Sequence, residues 1–98
     1  MLNRIVLMSF KKDLSQTQVD AILQDLTEVM ESIPEVRSFS CGKDCSQDGL
    51  ARELTHALVL HFDSADARQN YFKHPNYKGI EKRLGDALES ALTFDYVF

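Results

Sequence analysis

Arg4-Ile5-Val6-Leu7-Met8-Ser9-Phe10 reads as a β-strand with no wholly polar face. Alternation sends Arg4, Val6, Met8 and Phe10 to one side, and Ile5, Leu7 and Ser9 to the other. A strand that is largely apolar on both sides has to be covered on both sides. The segment from about Leu54 to Phe62 repeats the pattern. His56, Leu58, Leu60 and Phe62 share one face, and Thr55, Ala57, Val59 and His61 the other. In a chain of 98 residues this leaves room for one lean core, so residues 1–98 are expected to form a single domain. A chain of this size buries roughly 60–70% of the surface that its unfolded form exposes.

The remaining elements follow from spacing and punctuation. Ser15 and Gln18 form the S-x-x-Q capping box that opens a helix. Val19, Ile22, Leu23, Leu26, Val29, Met30 and Ile33 then trace one apolar stripe, and Pro34 stops the helix at or before Ile33. Val36 to Cys41 alternates as a further strand. The polar, glycine-containing stretch from Gly42 to Leu50 predicts a loop. Asp63-Ser64 starts a helix that runs to about Lys73, and His74-Pro75 breaks it. Tyr77, Ile80, Leu84 and Leu88 give the next helix its stripe. A last strand covers about Ser90 to Val97, with Leu92, Phe94, Tyr96 and Phe98 on one face.

The order βαββαβ fits an α+β fold of the ferredoxin-like plan, a four-stranded antiparallel sheet with helices on one face. The other face would then carry Ile5, Leu7, Ala57, Val59, Leu92, Phe94 and Tyr96. That apolar surface calls for a partner sheet, and a two-fold homodimer through the open face is the simplest arrangement.

Composition narrows the partners further. The net charge of −4, without a long basic run, argues against nucleic acid and anionic membranes. No apolar stretch approaches the roughly 20 residues of a membrane span. No targeting segment is visible, since the run Ile5–Met8 is too short for a signal peptide. Cys41 and Cys45 stand in C-x3-C, which matches neither a disulfide framework nor a zinc site. They are expected to be free thiols in a cytoplasmic protein without a metal or another cofactor.

Several of these residues resemble the stress-responsive dimeric α/β-barrel (Dabb) family. They are Ile5-Val6-Leu7, Phe10-Lys11, Ile33-Pro34-Glu35-Val36, Gly42-Lys43-Asp44 with Ser46, Thr55-His56-Ala57-Leu58-Val59, Tyr71 with His74-Pro75, and Phe94-Asp95-Tyr96. The resemblance runs nearly the whole length of the chain. It implies a ferredoxin-like protomer and a dimer whose two sheets close a barrel. Most such proteins have no assigned reaction. Some resemble plant polyketide cyclases, which close a ring by proton transfer between sheet and helices.

In the cyclase-like pattern a histidine opens the first strand, where this chain has Arg4. Tyr71 matches the helix tyrosine, and His56 matches the third-strand histidine. The pattern Tyr-x-x-His-Pro-x-His ends in the histidine that serves as base, and here that place is Tyr77. Tyrosine titrates near 10 against about 6.5 for histidine, so it is a poor base at neutral pH.

The candidate ligand pocket is therefore Arg4, Val6, Met8, His56, Leu58, Tyr71 and Tyr77, on the helix side of the sheet. Arg4 would supply a charge-assisted bond to a small anionic or carbonyl-bearing molecule, and the tyrosines would orient an oxygen. The bland alternative is a partly polar core edge in which Arg4 snorkels. The favoured reading is a small Dabb-type homodimer of no assigned reaction, non-catalytic or binding a small hydrophobic or anionic ligand in the sheet–helix cavity. The alternatives are a cyclase-like acid–base enzyme and an oxygenase acting on a larger planar molecule. His74, at an X-Pro corner, is expected to bond local backbone groups. Asp44-x-Ser46-x-Asp48 lacks the rest of a calcium loop and reads as a solvated turn.

Overall fold

The computed structural model describes residues 1–98. The chain runs β1 (Leu2–Phe10), α1 (Gln16–Ser32), β2 (Ser38–Lys43), β3 (His56–Phe62), α2 (Ala65–Lys73), α3 (Pro75–Ala87) and β4 (Leu88–Val97). The strands form one antiparallel sheet in the order β2-β3-β1-β4. The fold is the expected ferredoxin-like βαββαβ, with the helices on one face.

The local signals explain where elements begin and end. Ser15 Oγ accepts from the Gln18 amide at 3.1 Å, and Gln18 Oε1 accepts from the Ser15 amide at 2.8 Å, closing the capping box of α1. Ile33 caps the other end before Pro34. His74 joins two helices. Its amide ends α2 on the Tyr71 carbonyl at 3.1 Å, and its ring Nδ1 accepts from the Asn76 amide at 3.1 Å at the start of α3. That is the local role expected for a histidine before proline.

Four boundaries differ from the sequence reading. β2 begins at Ser38, two residues late, because Val36 turns back to bond the Ile33 carbonyl at 3.1 Å. It then continues through Gly42 and Lys43, which pair with Ala57 and His56 in place of starting a loop. β3 starts at His56, two residues later than expected. β4 starts at Leu88, two residues early. A register shift at Ser9/Phe10 lets Leu88 pair with Phe10 while its side chain still packs on the core as the helical stripe required.

The register lays the sheet out as rows. On the helix side lie Leu2 and Phe62, then Leu60, Arg4 and Asp95, then Leu58 and Val6, then His56 and Met8. Leu2, Met8, Leu58, Leu60 and Phe62 are buried there against Leu26, Met30, Ile33 and Ile80. The open side carries Ser38-His61-Asn3-Tyr96, then Ser40-Val59-Ile5-Phe94, then Gly42-Ala57-Leu7-Leu92. No helix of the protein is long and apolar enough to cross a membrane.

Candidate functional site

The helix-side residues assemble around Arg4. Alternation along β1 turns Arg4 under α2, where its guanidinium carbon lies 4.9 Å from the centre of the Phe72 ring. Tyr71, Phe72 and Tyr77 form a compact aromatic group. The Tyr71 and Tyr77 centroids are 4.4 Å apart, and Phe72 is 5.5 Å from each. Phe62 continues the group into the core, 5.1 Å from Tyr71. These rings pack between the sheet and α2–α3. Tyr71 is almost fully buried, and its hydroxyl donates only to Met30 Sδ at 3.8 Å, a weak acceptor. Tyr77 reaches toward solvent and donates to Glu81 Oε2 at 2.6 Å.

Arg4 is not alone. Its Nη1 donates to both oxygens of Asp95, at 3.1 and 2.9 Å, and Arg68 Nη1 donates to Asp95 Oδ2 at 2.9 Å. All three side chains are largely covered, between 19% and 24% exposed. Two guanidiniums that stay charged share one carboxylate, so the cluster holds one unsatisfied positive charge. The Nε of Arg68 is buried and has no hydrogen-bond partner.

Asp95 and Arg68 are not among the candidate pocket residues read from the sequence, although each carries a signal. Asp95 alternates with Phe94 and Tyr96, which puts it on the helix side, where a carboxylate needs a cation. Arg68 precedes Tyr71 and Phe72 by three and four residues, so it shares their helix face.

The other candidate residues are placed differently. Val6 is half-buried against the core, and Met8 and Leu58 are core residues. His56 pairs with Met8, four residues along β1 from Arg4, which is about 13 Å of strand. It sits edge-on to Phe10 at 5.3 Å, with Nδ1 2.8 Å from Thr55 Oγ1. The structure thus gathers Arg4, Tyr71 and Tyr77 into one cluster and leaves His56 outside it.

Electrostatics keep the cluster protonated. Burial, with Tyr77 nearby, pushes Tyr71 well above the ordinary tyrosine value. Burial and the bond to Glu81 push Tyr77 up to about 12. Burial and the Lys43 ammonium hold His56 below the usual histidine value, so it is neutral at pH 7.

Two hollows lie elsewhere. One, of about 640 Å³, sits on the open face of the sheet beside the Leu50–Leu54 loop. The other, of about 530 Å³, is a polar groove between α1 and α3 where Arg83 pairs with Asp25.

One uncovered apolar sheet face, and an arginine–aromatic cluster under the helices, mark a domain of the ferredoxin-like α+β class. Residues 2–98 match the model of the Stress responsive A/B Barrel Domain, and the chain belongs to that family. It is 25% identical over 92 residues to olivetolic acid cyclase from Cannabis sativa, covering 94% of this chain and 91% of the relative. The structure resembles the hydroxynitrile lyase from Passiflora edulis, with a TM-score of 0.90 and 27% identity, covering 99% of this chain and 92% of that one. It shares its fold with a dimeric ferredoxin-like protein of unknown function from Thermobifida fusca, with a TM-score of 0.85 and 20% identity, over 99% and 90% of the two chains.

Proposed function

We propose that this chain is a one-domain, homodimeric binding protein whose ligand is a small molecule with an apolar body and an anionic or carbonyl group. The observation that carries this reading is the spare positive charge of Arg4 and Arg68 around Asp95, beside the Phe72–Tyr77 aromatic wall. The buried Nε of Arg68 bonds no protein acceptor, and because a buried donor left unbonded costs about 1–3 kcal/mol, it adds to the cluster's preference for an acceptor oxygen. Tyr77 would orient the ligand, and Val6 with the ring of Tyr71 would support its apolar part. Arg4, held by Asp95, would act through its charge. His56, some distance along the sheet, would contribute shape at the far end with Met8 and Leu58.

Dimerisation is supported by the open face, where Leu92, Phe94, Tyr96 and Phe98 are 57%, 65%, 40% and 67% exposed. The Thermobifida fusca protein of the same fold is dimeric. Sedimentation should show a dimer at micromolar concentration, and Val59→Asp, which would bury a charge there, should dissociate it. A wild type that stays monomeric at high concentration excludes the dimer. A reducing, cytoplasmic setting agrees with Cys41 and Cys45 as unpaired thiols, and the net charge of −4 does not favour nucleic acid.

Native mass spectrometry of the purified protein tests the ligand reading. It should retain a small anionic or carbonyl-bearing molecule that Arg68→Met releases. If the wild type retains none, and a panel of such compounds does not bind in calorimetry, the reading is wrong.

The names of two similar proteins favour a second reading, an enzyme of the cyclase or lyase kind working at the same cluster. Against it stands the protonation state: Tyr71 and Tyr77 hold their protons, and His56 lies outside the cluster.

A further inference from the structure

The open face is not uniform, because its bulk is gathered on one edge. Phe94, Tyr96 and Phe98 make a continuous aromatic ridge along the edge strand β4, with ring centroids 6.4 and 6.0 Å apart. Toward the opposite edge the rows end in small residues, Ser40 and Gly42 on β2 and Ala57 on β3. The hollow of about 640 Å³ lies over these small residues, with Val59 and Leu7 in its floor and the Leu50–Leu54 loop as its wall, and it runs across the sheet to Ser90 and Leu92 on β4. Ridge and hollow are thus carried on one surface of one chain, and the β2 side of the hollow, at Ser40 and Gly42, lies about three strand spacings, or roughly 14 Å, from β4.

A surface with a ridge on one side and a matching hollow on the other is self-complementary under a two-fold rotation. Sheets that pack face to face keep their strands within about 30° of alignment and interleave their side chains. A two-fold axis between the sheets and along the strands lays β4 of one copy over β2 of the other and keeps each row opposite itself. Phe94 shares its row with Ser40 and Val59. In that arrangement Phe94 of each copy comes over Ser40 and Val59 in the hollow of the other. The charged residues at the rim, Lys43 and Arg52 against Asp44 and Glu53, balance in sign, so no net charge opposes an apolar ring.

Resting on the homodimer reading, we infer that the hollow is the seat of the partner's Phe94, and that this ridge-in-hollow contact sets the register of the two sheets. The occupant is a second copy of this chain.

Two variants test the seating from opposite sides. A Cβ added at Gly42 meets nothing within 4 Å in the protomer, and Gly42 lines the hollow, so Gly42→Phe should fold normally with its ring in the hollow. Phe94→Ala removes an exposed ring, which should leave the protomer fold intact. Each should weaken the dimer by about 10-fold or more in sedimentation equilibrium, with an unchanged circular dichroism spectrum. In the double variant the effects should not add, because both act on one contact. Wild-type affinity in either single variant, or simple additivity in the double, overturns the seating while the dimer stands. A monomeric wild type overturns the dimer and the seating together.

Discussion

Arg4 and Asp95, 91 positions apart in the chain, face each other across β1 and β4, with one guanidinium nitrogen bonded to both carboxylate oxygens. Arg68 on α2 completes the group through the same carboxylate. Asp95 is the one acceptor for two cations, so the three residues are not equivalent. Asp95→Asn leaves two largely covered guanidiniums without a counter-charge and should destabilise the fold by about 2 kcal/mol. Arg4→Met leaves the Arg68–Asp95 pair in place and should have a smaller effect, below about 1 kcal/mol. Urea denaturation at neutral pH checks the order, and equal losses would contradict a shared carboxylate.

The cap of α1 provides a second stability prediction. Ser15 and Gln18 satisfy each other's amides, so Ser15→Ala should destabilise the protein by about 1 kcal/mol. Because both residues lie away from Arg4 and Asp95, the loss should add to that of Asp95→Asn. A shift in the urea midpoint without a change in slope is the expected readout.

Stability at high pH should report on the tyrosines. Tyr71 and Tyr77 titrate higher in the folded protein than the unfolded value of about 10, so the folded state holds protons that the unfolded state has lost. Their contribution is complete below about pH 10 and is lost as the pH rises through the folded value, about 12 for Tyr77. The denaturation midpoint should fall over that window. Tyr77→Phe should make the fall shallower by removing one of the two titrations. An identical alkaline limb in the variant would place the effect elsewhere.

At mildly acid pH the sign reverses. Burial and Lys43 hold the folded His56 value below about 6.5, so the unfolded chain takes up a proton first and stability falls as pH drops below that value. His56→Gln should flatten the midpoint-against-pH curve on the acid side. Magnetic resonance of the ring protons gives the titration directly, and a folded value above that of a free histidine would refute the prediction.

Position 77 also permits a gain-of-function test of the catalytic alternative. Its side chain bonds the Glu81 carboxylate at 2.6 Å, so Tyr77→His would place a group that titrates near neutrality beside the aromatic cluster. The wild type is expected to show no cyclase-type turnover. The variant should show activity on a poly-β-keto substrate, since general base catalysis is worth 10²–10⁴-fold. Turnover by the wild type that survives Tyr77→Phe would move the site away from this cluster.

What the sequence determined by itself was everything set by short-range spacing. The α1 stripe from Val19 to Ile33, the Ser15–Gln18 cap and the His74-Pro75 break each depend on residues within a turn or two of one another. Strand alternation likewise sorted Arg4, Val6 and Met8 to the helix side and Val59, Leu92 and Phe94 to the open side.

Which of those side chains meet was decided only by the tertiary structure. That depends on pairing between strands far apart in sequence, and a register set over such a distance leaves no local trace. The pairing of β1 with β4 brings Asp95 to Arg4, and the packing of α2 brings Arg68 to both. The pairing of β1 with β3 carries His56 away from Tyr71 and Tyr77, although all three share the helix side. The shift at Ser9/Phe10 draws Leu88 out of the helix and into the sheet. Composition could announce an apolar open face, but only the order β2-β3-β1-β4 places its large residues at one edge and its small ones at the other.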